Sequence, residues 1–281
     1  MKAVFVFCEG NHDVKFAARS LGGVASAAWV GKPIKELPSP LGPIPDPANP
    51  RNPKQKSLIA ERYAARSLED LTLQAAAHAP PPAFEAVLRD GTAHYVLIRC
   101  HGDAAAASAT QLLNDVTSVI NPAFGTDITE IAAAFLFDAD AAVAAREETF
   151  AASYQPILGG ASGPKHGAWV IGKDFPVGLF VFHDATTQQG TLEDLLAPLV
   201  QKEWTTRWQA ASTYLTSHQL AGDAVSRTPA ERAKAQISIT GQFVVPGDPM
   251  SEVIGRNGLP AVHFQGPDSQ ALVTFLQGVP W

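Results

Sequence analysis

The N-terminal stretch of the chain most constrains its fold. Residues 4–7 (VFVF) are all apolar, so a strand formed here has no polar face for water. A helix-like stretch follows: Asn11 suits the helix N-cap, Asp13 suits the positive end of the helix dipole, and apolar residues then recur at helical spacing. A strand buried on both faces and followed by a helix predicts an α/β fold.

Apolar strand-like runs and helix-like stretches alternate along much of the remaining chain. This order is typical of a mainly parallel sheet flanked by helices. The later strand-like runs are HYVLIRC, EIAAAFLFD and a final pair or hairpin, GAWVIG and VGLFVFHD.

A proline-rich segment interrupts the alternation between Pro33 and Pro53. Proline at this density fits neither a helix interior nor a central strand, so we expect an extended surface segment, which a helix-like stretch follows. The sequence thus predicts an α/β domain over 1–203, interrupted by a proline-rich and helical insertion over 33–92. A helical extension over 204–281 is expected to pack on the same domain.

Composition bounds the class of protein. The 281 residues are 46% hydrophobic and 17% charged, which suits a large buried core. No apolar run reaches the roughly 20 residues of a membrane span, and no secretory signal is evident. Cys8 and Cys100 lie in apolar runs and are expected to be reduced core residues of a cytoplasmic protein. Because the net charge is −6, any nucleic-acid binding requires a local basic patch.

Acidic residues stand at the ends of two predicted strands. Glu9 precedes Gly10 after the first strand, and Asp138 and Asp140 follow a later apolar run. Residues two apart in a strand point to the same side, so we expect Asp138 and Asp140 to project together. Ligands of open α/β sheets bind at the carboxyl ends of strands. Carboxylates suit Mg²⁺, with Mn²⁺ as the alternative ion, so the sequence predicts a metal site here.

Two motifs carry a resemblance to the TOPRIM family. Residues 9–13 (EGNHD) resemble its E-G-x-x-D element and residues 138–140 (DAD) its D-x-D element, each at the end of an apolar strand. TOPRIM domains occur in topoisomerases, bacterial primases, small nucleases and OLD-family nucleases. The whole chain is most similar to stand-alone TOPRIM-like proteins of uncharacterised function. The resemblance implies Mg²⁺ binding and work on phosphodiester bonds.

The resemblance also implies residue roles. Glu9 matches the general acid/base, Asp138 and Asp140 match metal ligands, and Asp13 matches an acid that helps Glu9 hold a second ion. Glu193, in the first turn of a later helix, is a further candidate ligand for that ion. Other interpretations stay open: Glu9 as a capping carboxylate, Asp13 and Glu193 as ordinary first-turn acids, and Asp140 as a helix cap.

The leading functional hypothesis is a Mg²⁺-dependent enzyme of phosphodiester or phosphoryl-transfer chemistry, a nuclease in the first instance. Its substrate is then nucleic acid or another phosphate-containing molecule; no membrane partner is expected, and the oligomeric state stays open. The alternative is a non-catalytic TOPRIM-like binding or regulatory module. The acidic net charge favours the alternative. The turn His101-Gly102-Asp103 also favours it, because the family often has a Gly-Lys turn at this position and this chain has an acid in place of the lysine. A third hypothesis is nucleotide binding without metal.

Overall fold

A seven-stranded mixed sheet forms the centre of the computed structural model, which describes residues 1–30, 37–42, 83–100, 105–120, 126–217, 229–247, 250–255 and 258–281. The strands lie in the order β2-β3-β4-β1-β5-β7-β6. In chain order they are β1 (Lys2–Cys8), β2 (Ala28–Trp29), β3 (Ala83–Arg89), β4 (Ala93–Arg99), β5 (Glu130–Asp138), β6 (Ala168–Ile171) and β7 (Pro176–Phe182).

The sheet is partly parallel. β1 pairs in parallel with β4 and β5, and β5 pairs in parallel with β7. The pairings β2/β3, β3/β4 and β6/β7 are antiparallel. The predicted α/β class is confirmed, and so is the final strand pair, β6/β7. The expected mainly parallel sheet is instead mixed, with a parallel centre whose strands β4, β1, β5 and β7 end at one common edge.

Helices cover the sheet and dominate the C-terminal part of the chain. In the described ranges they are α1 (Asn11–Val24), α2 (Ala106–Val119), α3 (Val143–Ser153), α4 (Gln155–Leu158), α5 (Leu192–Glu203), α6 (Thr205–Ser217), α7 (Pro229–Gln242), α8 (Met250–Ile254), a 3₁₀ helix (Ala261–Gln265) and α9 (Pro267–Gln277). None of them has the length and hydrophobicity that crossing a bilayer requires.

The core lies on both faces of the sheet, as the apolar first strand predicts. Val4 and Val6 face a layer that includes Leu272 of α9, while Phe5 and Phe7 face a layer that includes α2 and α3. The Phe7 and Phe135 rings of neighbouring strands stack with their centroids 4.8 Å apart. Burial on both faces fixes β1 and β5 at the centre of the fold.

Part of the predicted insertion belongs to the sheet. β3 lies within 33–92 and forms an antiparallel pair with β4 across a turn at Asp90-Gly91. Asp90 Oδ1 accepts a hydrogen bond of 2.7 Å from Thr92 N–H and stabilises that turn. Leu41, in the described segment 37–42, is fully buried, so this part of the proline-rich segment does not lie on the surface as expected. The helix-like stretch of the insertion lies outside the described residues.

The C-terminal helices pack on α1. Ser20 Oγ lies 2.9 Å from Ser269 Oγ, and the Arg19 guanidinium donates to the carbonyls of Gly255 and Leu259. Most of the described chain after residue 204 is helical, as predicted. Its α7 lies against α5, beside the carboxyl edge of the sheet.

Candidate metal centre

The carboxyl ends of β1 and β5 bring Glu9 and Asp138 together. The two strands are neighbours in parallel register; Glu9 directly follows β1, and Asp138 ends β5. The Asp138 backbone N–H donates a hydrogen bond of 3.4 Å to Glu9 Oε2. The two acids therefore lie side by side at this edge.

Asp13 joins them from the first turn of α1. Its Oδ2 accepts a hydrogen bond of 2.6 Å from Gly10 N–H, an arrangement that caps the helix. Burial raises the pKa of Asp13 well above its ordinary value; the charges of Asp138, Glu9 and Glu193 add to this, against the Gly10 hydrogen bond. The carboxyl group has helix-capping geometry and also belongs to a set of acids that disfavours its ionisation.

Asp138 is held by the helix that begins opposite it. The Leu192 N–H, at the start of α5, donates a hydrogen bond of 2.8 Å to Asp138 Oδ1. Burial raises the pKa of Asp138 to about 7; the carboxylates of Glu193 and Glu9 add to this effect, which the Leu192 hydrogen bond opposes. The nearby Lys234 charge also lowers this pKa, and even so the carboxyl group binds a proton readily near neutral pH.

Glu193, in the first turn of α5, is only 2% exposed. Its Oε1 lies 3.1 Å from His12 Nδ1, and its Oε2 lies 3.6 Å from Lys234 Nζ on α7. Burial alone would raise its pKa, but the His12 hydrogen bond and the Lys234 charge lower it overall. Oε2 is buried and has no hydrogen-bond partner among the described residues.

Asp140 lies apart from the other predicted acids. β5 ends at Asp138, and Asp140 adopts the left-handed region with φ 51°, so the two-residue alternation of a strand no longer applies. The Asp140 carboxylate accepts a hydrogen bond of 2.6 Å from Arg146 Nη2. The expectation that Asp138 and Asp140 project together is therefore wrong, because the strand stops between them.

Four acids thus form what we call the carboxylate cluster: Glu9, Asp13, Asp138 and Glu193. Carboxylate oxygens are ligands that Mg²⁺ and Mn²⁺ prefer, and the pKa values of Asp13 and Asp138 are raised chiefly by burial and further by the neighbouring carboxylates. Within the described ranges no group of three or more His, Cys, Asp or Glu side chains is arranged to hold a metal ion. The cluster matches a divalent ion in donor type and charge, but its side chains do not form a ligand set in this arrangement.

Two residues of the site were not predicted. His12 lies inside the EGNHD element, so the sequence already placed it close to Glu9 along the chain. Nothing in the local sequence indicated its contact with Glu193. Lys234 comes from a helix far along the chain, and no local pattern marks it. The His101-Gly102-Asp103 turn lies outside the described residues.

Comparisons with known proteins bear on the fold. No protein-family model matches the chain, and no curated protein matches it. A crystal structure of the hypothetical protein PH0156 from Pyrococcus horikoshii OT3 is similar, with a TM-score of 0.51 and 13% sequence identity. The similarity covers 99% of this chain and 95% of that chain. At this level of identity the likeness concerns the fold alone.

Proposed function

We propose that the chain is a TOPRIM-like, Mg²⁺-dependent enzyme of phosphodiester or phosphoryl-transfer chemistry, a nuclease in the first instance, with the carboxylate cluster as its metal centre. The observation that carries the proposal is Glu193: it is buried to 98% of its surface, its charge acts on Asp13 and Asp138, and its Oε2 has no hydrogen-bond partner among the described residues, with the Lys234 ammonium group 3.6 Å away. A buried carboxylate oxygen without a donor costs free energy, and a bound cation removes that cost.

Each acid of the carboxylate cluster has its own proposed role. Asp13, Asp138 and Glu193 would hold the ion, which supplies Lewis-acid stabilisation of the charge on a transferring phosphoryl group. Glu9, beside Asp138, is the proposed group that exchanges a proton with the reacting oxygen. The D-x-D element implied a ligand role for Asp140 that nothing in the structure tests; we leave Asp140 out of the proposed ligand set, because its carboxylate engages Arg146.

The substrate class follows from the same chemistry. Nucleic acid or another phosphate-containing molecule is the proposed substrate, and binding must use a local cationic surface because the net charge is −6. The cytoplasmic location inferred from the cysteines belongs to the same proposal.

Calorimetric titration with Mg²⁺ and Mn²⁺ tests the metal centre. Wild type is expected to bind, and Asp138→Asn is expected to lose at least about tenfold in affinity, since it keeps the Leu192 acceptor but removes a charged ligand. Asp140→Asn is the matched control: it removes the same charge two residues away, outside the cluster, and should bind like wild type. Equal affinity for wild type and Asp138→Asn, or no binding by wild type, contradicts the metal centre.

Cleavage of labelled DNA and RNA tests the enzyme. Metal-dependent cleavage that Glu9→Gln abolishes supports catalysis, provided that the variant still binds Mn²⁺. The non-catalytic binding module is favoured by the absence of a formed three-ligand set in the described residues. Metal binding without cleavage of any phosphodiester substrate would support that alternative.

A further inference from the structure

Two histidines near the end of β7 form a second group of ionisable side chains, apart from the carboxylate cluster. His183 directly follows β7, and His166 lies shortly before β6. Their Nε2 atoms are 3.4 Å apart, and the two rings meet edge to face with their centroids 4.8 Å apart. This histidine pair ties the start of the 183–190 loop, which leads from β7 to α5, to the segment before β6.

The hydrogen bonds of the histidine pair determine which nitrogen of each ring carries a proton. His166 Nδ1 accepts a hydrogen bond of 2.9 Å from the Val181 N–H, so the neutral His166 ring is protonated on Nε2. This N–H can donate only to an unprotonated His183 Nε2, which leaves the His183 proton on Nδ1. There the Asp184 carbonyl oxygen accepts it at 3.0 Å. Every ring nitrogen of the pair therefore has a partner when both rings are neutral.

The closed pair has no position for an additional proton. On His183 Nε2 the proton would place two N–H donors opposite each other, and on His166 Nδ1 it would face the Val181 N–H. The contact between the rings is the longer of these two contacts, and residues 184–189, which follow His183, are exposed. Protonation therefore breaks the contact between the rings and turns His183 towards water.

The charged groups around the histidine pair do not oppose this opening. Glu147 of α3 accepts hydrogen bonds of 2.8 Å from the His166 N–H and from Lys165 Nζ, so Lys165 already balances its charge. Burial and His183 lower the pKa of His166, against the charge of Glu147. The Asp184 carboxylate lies on the exposed loop and its charge interacts with that of His183, so it favours a protonated His183 outside the pair. β7 contributes no charged side chain.

We propose that the histidine pair is a pH-sensitive latch, closed at neutral pH, which releases the start of the 183–190 loop when His183 takes up a proton. The open loop binds a proton that the closed pair cannot bind. The ratio of open to closed loop therefore rises as pH falls, by up to about tenfold per pH unit below about pH 6.5.

The far end of the loop stays attached when the latch opens. Gly190 and Asp140 exchange two backbone hydrogen bonds, of 3.0 and 2.9 Å, and the Gln188 carbonyl accepts another of 3.0 Å from the Val143 N–H. Opening is therefore confined to the start of the loop, residues 183–187. None of these contacts involves the carboxylate cluster, so the latch does not depend on the proposed function.

NMR spectroscopy of the isotope-labelled full chain, without divalent ions, tests the latch. At about pH 7.5 the ring-nitrogen shifts should show His166 protonated on Nε2 and His183 protonated on Nδ1. As pH falls to about 5.5 the His183 ring should titrate and lose its contact with the His166 ring. The backbone amide signals of 183–187 should shift with the same midpoint, whereas those of α2 should not.

One substitution separates the histidine pair from other titrating groups. His183→Gln removes the titrating ring, while its amide oxygen can still accept a hydrogen bond from the His166 Nε2–H. The shifts of 183–187 that share the His183 midpoint should disappear in this variant. His263→Gln is the matched control, because His263 pairs with Glu203 Oε2 at 2.8 Å, outside the histidine pair. It should keep the wild-type response.

Three results would overturn the latch. The first is the opposite position of the proton on either ring at about pH 7.5, a measurement that needs no variant and so remains decisive if His183→Gln does not fold. The second is a set of loop amide signals that does not change between about pH 7.5 and 5.5. The third is an unchanged loop response in His183→Gln. Failure of metal binding or cleavage overturns the proposed function alone, because no divalent ion takes part in the latch.

Discussion

Asp138 at the end of β5 and Leu192 at the start of α5 are joined by a hydrogen bond of 2.8 Å from the Leu192 N–H to Asp138 Oδ1. The bond holds the first turn of α5, which carries Glu193, against the end of β5. Asp138 therefore has two tasks: it accepts a hydrogen bond from a helix N-terminus, and it adds charge to the carboxylate cluster. Asparagine separates these tasks because it keeps the acceptor oxygen and removes the charge.

We expect Asp138→Asn to stabilise the metal-free protein more at about pH 8 than at about pH 5. Burial raises the pKa of Asp138 to about 7, whereas an unfolded aspartate titrates near ~3.9. Between these values the folded state holds a proton that the unfolded state releases, so the contribution of Asp138 to wild-type stability falls as pH rises from about 4 to about 7. The loss is at most about 4 kcal/mol.

Urea unfolding without divalent ions measures this difference. Asp140→Asn is the control and should follow the wild-type pH dependence, because its carboxylate binds Arg146 outside the cluster. Identical pH dependence for wild type and Asp138→Asn would show that the Asp138 carboxyl is not perturbed as described.

Glu193 and Asp194 are adjacent acids of α5 with different expected effects on metal binding. Glu193 faces His12 and Lys234, whereas Asp194 Oδ2 accepts a hydrogen bond of 2.8 Å from Thr191 N–H and caps the helix. Glu193→Gln should weaken Mn²⁺ binding by about tenfold or more, because it removes a buried ligand and frees the Lys234 charge.

Asp194→Asn should leave Mn²⁺ binding within about twofold of wild type and cost about 0.5 kcal/mol of stability through the helix dipole. Calorimetry and urea unfolding on both variants distinguish the two acids. Equal losses of Mn²⁺ affinity would mean that general negative charge at the helix start, and not Glu193 itself, determines binding.

Two adjacent glycines of α1 should respond oppositely to alanine. A Cβ at Gly23 would lie 2.7 Å from the Phe264 carbonyl oxygen of the 3₁₀ helix, whereas a Cβ at Gly22 meets its nearest neighbour at 3.8 Å. Gly23→Ala should cost about 1–3 kcal/mol through overpacking, and Gly22→Ala should gain up to about 1 kcal/mol from helix propensity. Urea unfolding measures both; a neutral Gly23→Ala would contradict the close packing of the C-terminal segment on α1.

The sequence predicted which acids lie at the ends of strands, but it did not predict which residues contact them. Apolar runs without a polar face identify β1 and β5, so the first acid after each run, Glu9 or Asp138, falls at the sheet edge. The two-residue alternation of a strand does not extend to Asp140, because the residue at which a strand ends depends on its tertiary contacts. Lys234 was not predicted because its contact with Glu193 depends on how α7 packs against α5, and no local sequence pattern specifies that packing.

The missed strand β3 had a local signal. Asp90-Gly91 between two apolar runs is a strong hairpin signal, but the preceding prolines led to its assignment to the insertion. The sheet is therefore less parallel than predicted, since a hairpin adds an antiparallel strand without a crossover helix.

His166 makes the stability of the β6/β7 region sensitive to acid. Its Nδ1 accepts a hydrogen bond of 2.9 Å from Val181 N–H, which requires a ring without a proton on that nitrogen. Burial and the neighbouring His183 lower the pKa of His166. The unfolded chain therefore takes up a proton before the folded chain does, and stability falls as pH decreases through about 6.5, with a slope of up to about 1.4 kcal/mol per pH unit.

His166→Asn tests this sensitivity, because asparagine can place an uncharged oxygen acceptor where Nδ1 lies. The comparison is best made in the Asp138→Asn background, since Asp138 changes stability in the opposite direction over the same pH range. Loss of the ring contact with Phe180 lowers stability by the same amount at every pH. When urea unfolding is measured at several pH values, the free energy of unfolding of His166→Asn should therefore be lower at neutral pH than that of the protein with His166. It should also decrease less below about pH 6.5. Parallel curves would mean that protonation of His166 does not oppose folding.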